Sequence, residues 1–161
     1  HFNPTPRVRE GRTLGERRLV RAMIDVRDGL LSDLGHICEE SRVGARLWVE
    51  RLPLSPSLRA AAVGRKSVDW QWALQGGEDY ELLFSAPPEN GSRILALGRK
   101  WKCGVARIGR IAPWESGIVI EGRNGPVDPR LFKGYDHFGG PRSKKSFREK
   151  KRRSSRGGAW N

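Results

Sequence analysis

The stretch that decides the fold is Ala22-Met23-Ile24-Asp25-Val26-Arg27-Asp28-Gly29-Leu30, at residues 22–30. The apolar segment over 19–26 predicts a mostly buried strand, which ends in a corner with two carboxylates. From Leu30 onward, apolar residues recur at helical spacing. This spacing predicts a helix over 29–42 with Asp28 as its N-cap. The sequence therefore predicts a strand, an acidic corner and an amphipathic helix in immediate succession.

The rest of the chain alternates between strand and helix patterns. We predict strands over 43–49, 80–84, 105–111 and 118–121, helices over 7–18, 68–75 and 90–101, and a turn at 52–56 where Ser55 caps a short helix. Alternating elements of this kind predict an α/β or α+β domain of roughly 135 residues.

Composition excludes several classes of protein. Of the 161 residues, 37% are hydrophobic, which is enough for a core and argues against wholesale disorder. No apolar run reaches the roughly 18 residues of a membrane span, so we expect no membrane partner. The two cysteines, Cys38 and Cys103, do not suit a disulfide-stapled secreted scaffold. We expect two free thiols in the cytoplasm.

The net charge of +13 is concentrated at one end. Residues 139–161 carry nine Lys/Arg and one acid, so this tail holds +8 of the charge. With almost no apolar residues, the tail cannot offset its ordering entropy, and we predict that it is disordered. It could bind nucleic acid electrostatically, or it could simply be a solubilising extension.

The acidic corner is the first candidate site. Asp25 ends a strand and Asp28 begins a helix, so both carboxylates are expected at one rim of the sheet. Such a pair suits Mg²⁺ with bound phosphate, and the helix N-terminus adds positive potential. The alternative is that Asp28 only caps the helix and Asp25 is a solvated strand end.

Two further segments carry candidate residues. Gly76-Gly77-Glu78-Asp79-Tyr80-Glu81 pairs glycines, which allow close backbone approach, with three acids. The alternative is a glycine turn with solvated acids. Gly134-Tyr135-Asp136-His137-Phe138 places aromatic rings that could stack on a heteroaromatic ligand, or could pin the end of the domain to its core.

In this order, these three segments resemble the thiamine-monophosphate kinase family. Residues 22–30 resemble the family's Ile-Asp-Val-Ser-Asp-Gly-Leu motif, and residues 76–84 and 134–138 resemble two later motifs. Shorter matches lie at 32–37, 43–45 and 52–55, and residues 4–8 resemble the stretch between the family's two domains. The resemblance covers about residues 1–138.

The resemblance implies an α+β fold with an α/β/α-layered C-terminal domain like that of aminoimidazole ribonucleotide synthetase. The implied organisation is an interdomain linker and short helix over 1–18 and the C-terminal domain over 19–138. The disordered basic tail follows over 139–161.

The resemblance also implies a function. The family transfers the γ-phosphate of ATP to thiamine monophosphate with Mg²⁺, giving thiamine diphosphate. In the family, positions matching Asp25 and Asp28 bind Mg²⁺, and the position matching Arg27 is a Ser that contacts ATP. Positions matching Glu78 and Tyr135 contact the thiamine substrate. Two anions that must meet in line need cations and fixed dipoles more than a covalent catalyst, so no catalytic side chain is assigned.

The chain departs from the family pattern in two ways. It matches only the C-terminal half, so we expect little kinase activity without the N-terminal domain, and a homodimer for the complete enzyme. Arg27 could grip a phosphate bidentately or repel Mg²⁺, and we expect altered or impaired nucleotide binding. The alternative function is a non-catalytic, truncated domain that binds nucleic acid through its basic tail.

Overall fold

The computed structural model describes residues 5–61, 69–77, 79–123 and 125–127. They form mixed helix and sheet, as predicted. The helices are α1 (Val8–Glu16), α2 (Leu30–Ser41), α3 (Pro56–Ala61), α4 (Asp69–Gln75) and α5 (Gly91–Gly98). The strands are β1 (Ala22–Asp25), β2 (Gly44–Trp48), β3 (Leu82–Ser85), β4 (Gly109–Ala112), β5 (Ile118–Gly122) and β6 (Gly125–Val127). None of the described helices has the length and apolar character needed to cross a membrane.

The strands form two sheets. β1 and β3 pair antiparallel, with Asp25 opposite Leu82 where β1 ends. The other strands form a mixed sheet in the order β4-β2-β5-β6, in which only the central pair, β2 and β5, runs parallel. The short strand β6 was not predicted because Gly-Pro-Val carries little strand propensity.

The β1–β3 sheet lies between two helical layers. Ile24 and Leu83 face the larger core, which includes the buried side of α2. On the other face, α1 approaches closely because Gly11 has no side chain. A Cβ there would lie 3.3 Å from Leu82 Cδ1 and 3.5 Å from Met23 Cε. The α/β/α layering expected from the resemblance is therefore present.

Helix α2 has a different N-cap from the one predicted. Gly29 occupies the N-cap position with a φ of 117°, and no side chain caps the helix. The prediction of Asp28 as N-cap is wrong. The chain enters the helix through a left-handed conformation that glycine adopts without strain, so Asp28 lies one position too early. The predicted apolar stripe is correct and is buried in the larger core.

Strand β1 is shorter and more exposed than predicted. It covers only 22–25, and its residues alternate between half-buried and exposed, so the expected mostly buried strand over 19–26 is wrong. Leu19 is buried for another reason. Its N–H donates to the carbonyl of Leu14 at the end of α1, and its side chain packs in a second cluster with Ile94.

Three other predictions meet different outcomes. β3 begins at Leu82, because Tyr80 has a φ of 52° and cannot continue a strand. β4 begins at Gly109, while Val105 packs in the second cluster with α5. The predicted cap is confirmed: the Ser55 hydroxyl accepts a hydrogen bond from the N–H of Leu58 at 3.1 Å.

Candidate functional site

The candidate site is built around the loop between β1 and α2. Asp25 is the last residue of β1 and is exposed, Val26 is buried, and Arg27 and Asp28 are exposed. Gly29 then turns the chain into α2. Burial of Val26 anchors the loop, while the charged side chains on either side of it reach solvent.

Asp33, in the first turn of α2, forms hydrogen bonds with the backbone of this loop. Its Oδ2 accepts hydrogen bonds from the N–H of Arg27 at 2.9 Å and of Asp28 at 3.2 Å. The sequence analysis expected the start of the helix to offer positive potential to a phosphate. Because the carboxylate of Asp33 already takes these two N–H groups, they are not available to an anion in this conformation.

The sequence analysis did not identify Asp33 as a candidate. The sequence does indicate that Asp33 is unusual, because this charged residue lies on the apolar stripe of α2, three residues after Leu30 and next to Leu34. A carboxylate on a buried helix face needs hydrogen-bond donors, and a loop at the helix start is the nearest source.

Gly77, the second glycine of the pair after α4, packs directly against this loop. A Cβ at Gly77 would lie 2.6 Å from the carbonyl oxygen of Arg27, and a Cβ at Gly29 would lie 3.2 Å from the carbonyl oxygen of Gln75. Only glycine permits the first of these contacts. The fold thus brings together two segments that the sequence analysis singled out separately.

Backbone hydrogen bonds extend the contact beyond the glycines. The N–H of Val26 donates to the carbonyl of Glu81 at 2.8 Å, and the N–H of Tyr80 donates to the carbonyl of Val26 at 2.9 Å. Gly77, Tyr80 and Glu81 therefore all lie beside the β1–α2 loop, just before β3 begins.

The charges at the loop form a loose ion pair. Arg27 Nε lies 3.6 Å from Asp28 Oδ1, and these side chains are 67% and 55% exposed. An exposed pair at this distance contributes at most about 1 kcal/mol to stability. Little free energy is therefore needed to separate Arg27 from Asp28 when a ligand competes for either side chain.

Acidic residues on the second segment have different environments. Partial burial raises the pKa of Asp79, and the negative charge of Glu81 adds to the effect. Glu81 accepts two hydrogen bonds from Arg7, one from Nη2 at 2.6 Å and one from Nε at 3.1 Å. This hydrogen bonding raises the pKa of Arg7 against the opposing effect of its own burial.

A cavity of about 790 Å³ opens beside these acids. Asp79, Glu81 and Arg7 are among its polar lining residues, and its apolar walls include Val26 and Leu30.

The described residues hold no group of three or more His, Cys, Asp and Glu side chains that could bind a metal ion by themselves. Asp25 and Asp28 nevertheless fit Mg²⁺ chemically, because they are exposed oxygen donors on one loop. Mg²⁺ in enzymes is commonly held by one or two carboxylates together with substrate phosphates and water.

Several predicted residues and segments lie outside the described part of the chain. They are Glu78, residues 128–138 at the end of the predicted C-terminal domain, which include Tyr135 and its motif, residues 1–4 of the predicted linker, and the tail over 139–161. Of the five predicted site residues, the structure places Asp25, Arg27 and Asp28, and it places all three on one loop.

The chain matches a known family. Residues 1–121 match the family described as AIR synthase related protein, C-terminal domain. The chain belongs to that family.

The chain is also similar to particular kinases. It is 40% identical over 145 residues to thiamine-monophosphate kinase of Escherichia coli O157:H7, covering 88% of this chain and 42% of the relative. The solved thiamine-monophosphate kinase from Stenotrophomonas maltophilia K279a matches with a TM-score of 0.65 and 41% identity, over 73% of this chain and 35% of that one. AaThiL complexed with AMPPCP and TMP matches with a TM-score of 0.59 and 30% identity, over 74% and 35%. The chain thus spans about two fifths of the length of the curated relatives it matches.

Proposed function

We propose that this chain is the C-terminal part of an ATP-dependent kinase that converts thiamine monophosphate to thiamine diphosphate in the cytoplasm. The observation that carries the proposal is the direct packing of Gly77 against the carbonyl of Arg27. This contact joins the β1–α2 loop to the segment over 76–81. The similarity to thiamine-monophosphate kinases, one of them in complex with AMPPCP and TMP, supports the same function.

The β1–α2 loop is proposed as the end of the site that binds the phosphate groups. Asp25 and Asp28 would hold Mg²⁺, which when bound neutralises charge on phosphate oxygens. Arg27 takes the position of the residue that contacts ATP. Its exposed guanidinium pairs loosely with Asp28 through Nε, so Nη1 and Nη2 can still donate to a phosphate oxygen.

The segment over 76–81 and the aromatic motif over 134–138 are proposed as the end of the site that binds the thiamine group. Glu78 would bind the cationic or amino-bearing heterocycle, and Tyr135 would stack on it. Glu81, in the lining of the neighbouring cavity, is paired with Arg7, so Asp79 in the same lining is the acid that supports a cationic ligand in this region.

We further propose that activity requires an N-terminal domain and that the complete enzyme is a homodimer. Phosphoryl transfer between two anions relies on several cations and on fixed positioning. Two carboxylates on one loop supply only part of that requirement. The coverage of 42% of the E. coli kinase supports a second part supplied from elsewhere.

The test measures thiamine diphosphate formation from ATP, Mg²⁺ and thiamine monophosphate by the natural gene product that contains this chain, at its full length. We expect product, and we expect Asp25→Asn to lower the rate about a hundredfold or more, because loss of a metal ligand costs several kcal/mol. Glu39→Gln, at an exposed acid of α2, is the matched control and is expected to leave the rate unchanged. No product above the enzyme-free blank would contradict the function, and a fully active Asp25→Asn would contradict the metal assignment.

A further inference from the structure

Asp33 is the one buried charged side chain in the part of the chain that the structure describes. It is 3% exposed and lies among the apolar residues of α2. Burying a carboxylate is costly unless it is hydrogen-bonded, and a leucine at this place would extend the apolar stripe at no such cost. The two hydrogen bonds that it accepts both come from the backbone of the β1–α2 loop.

These bonds fix which way the loop faces. The N–H groups of Arg27 and Asp28 point inward to Asp33, while the side chains of both residues remain more than half exposed. The carbonyl of Arg27 is held against Gly77. The backbone of Arg27 is therefore held from two sides, by Asp33 and by Gly77, and its side chain is left to solvent.

We propose that Asp33 is a positioning residue: its buried carboxylate fixes the backbone at Arg27 and Asp28 and so sets the loop that presents the phosphate-binding side chains. What the loop binds rests on the proposed function, whereas the fixing of the loop does not. Because Asp33 takes the N–H groups of Arg27 and Asp28, these two groups do not contribute to phosphate recognition, which is left to the side chains of the loop, the cation that they hold and the N–H groups of the first turn of α2.

The test compares Asp33→Ala and Asp33→Asn with the natural gene product at full length. Asparagine keeps an oxygen that can accept from the loop, so it is expected to retain part of the effect and to guard against misfolding of the alanine variant. Glu39→Gln is the matched control, because it removes an exposed acid from the same helix.

Two readouts separate positioning from general stability. Amide hydrogen exchange at Arg27 and Asp28 is expected to accelerate at least about tenfold in Asp33→Ala and less in Asp33→Asn, while amides in the β2–β5 pair keep their rates. Mn²⁺, used as the probe, is expected to broaden the amide signals of Asp25 and Asp28 with an affinity about tenfold weaker in Asp33→Ala, the effect typical of residues that orient metal ligands.

The outcomes are distinguishable. Unchanged exchange at Arg27 and Asp28 in Asp33→Ala would overturn the proposal, as would an equal acceleration throughout the domain. If Mn²⁺ does not broaden the loop signals even in the unmodified protein, the proposed metal role fails. The exchange rates then decide alone whether Asp33 fixes the loop.

Discussion

At the residue scale, Gly77 is the position where a single methyl group is expected to disturb the site. In Gly77→Ala the new Cβ would lie 2.6 Å from a backbone oxygen, which cannot move aside as a flexible side chain can. We expect a loss of about 1–3 kcal/mol in the free energy of unfolding, the usual cost of overpacking. Urea unfolding of the purified protein measures it.

Gly91→Ala is the matched control for that substitution. Nothing lies within 4 Å of the position that its Cβ would take, and Gly91 is the first residue of α5. Alanine there is expected to leave stability unchanged or to raise it by up to about 1 kcal/mol. Equal changes in the free energy of unfolding for the two substitutions would contradict the close contact between Gly77 and the β1–α2 loop.

Arg27 is expected to weaken the binding of magnesium-bound ATP. Its Nε lies 3.6 Å from an oxygen of Asp28, so the guanidinium competes with a metal ion for that carboxylate. We predict that Arg27→Ser lowers the KM for magnesium-bound ATP by about fivefold or less, the range expected from an exposed ion pair of up to about 1 kcal/mol. Arg99→Ser, an exposed arginine after α5, is the control. A higher KM in Arg27→Ser would show that the guanidinium grips phosphate instead.

Cys38 is expected to make the protein sensitive to alkali. Burial raises the pKa of this thiol from 9.0 to about 11. The folded protein therefore holds the proton more tightly than the unfolded chain. The associated stability is fully present below about pH 9 and is lost as the pH rises toward 11. Urea unfolding at intervals between pH 7 and pH 10.5 measures this slope.

Substitution of each cysteine in turn isolates the effect. Cys38→Ala is expected to have a shallower loss of stability above pH 9, whereas Cys103→Ala, at a half-buried thiol, keeps the original slope. In the folded protein near pH 8, a thiol reagent is expected to label Cys103 and to spare Cys38. Identical alkaline slopes in the two variants would contradict this account.

Individual residues also mark the limits of the sequence analysis. Asp25, Arg27 and Asp28 were identified from their motif, and they do lie on one loop. Asp33 was missed because its role depends on which atoms lie within hydrogen-bond reach in three dimensions. Asp28 was assigned as a cap because Asp is common there, but the left-handed glycine that follows it determines how the helix begins.

At the scale of elements, the ion pair between Arg7 and Glu81 connects the segment before α1 to the start of β3. Glu81 is half-exposed, so we expect a coupling energy of about 1 kcal/mol or less in a double-mutant cycle of Arg7→Met and Glu81→Gln. The pair of Arg12 and Glu16, four residues apart on the exposed side of α1, is the control, with about 0.3–0.5 kcal/mol expected. A coupling energy of zero between Arg7 and Glu81 would show that this ion pair does not stabilise the contact between the two elements.

Elements were predictable where local pattern decides them. Helix α2 was expected over 29–42 and covers 30–41, because its apolar stripe recurs over three turns. Strand bounds were less predictable. β3 depends on the left-handed backbone at Tyr80, and the burial of Leu19 depends on how α1 ends. Neither depends on an apolar or polar pattern, so neither could be predicted from one.

At the scale of the whole molecule, the candidate site joins segments about fifty residues apart in the chain. Both segments could be identified from the sequence, but their contact could not, because it arises where α4 packs on α2 and brings Gly77 to the β1–α2 loop. The roles of Glu78, Tyr135 and the basic tail remain predictions.

We propose that nucleotide and thiamine monophosphate bind where these two segments meet. The most direct measurement follows amide NMR signals of the full-length natural gene product while Mg²⁺, AMPPCP and thiamine monophosphate are added. We expect the largest shifts at Arg27–Gly29 and Gly76–Gly77 and negligible shifts in the β2–β5 pair. Shifts that are absent from both segments, or that are confined to residues 139–161, would contradict it.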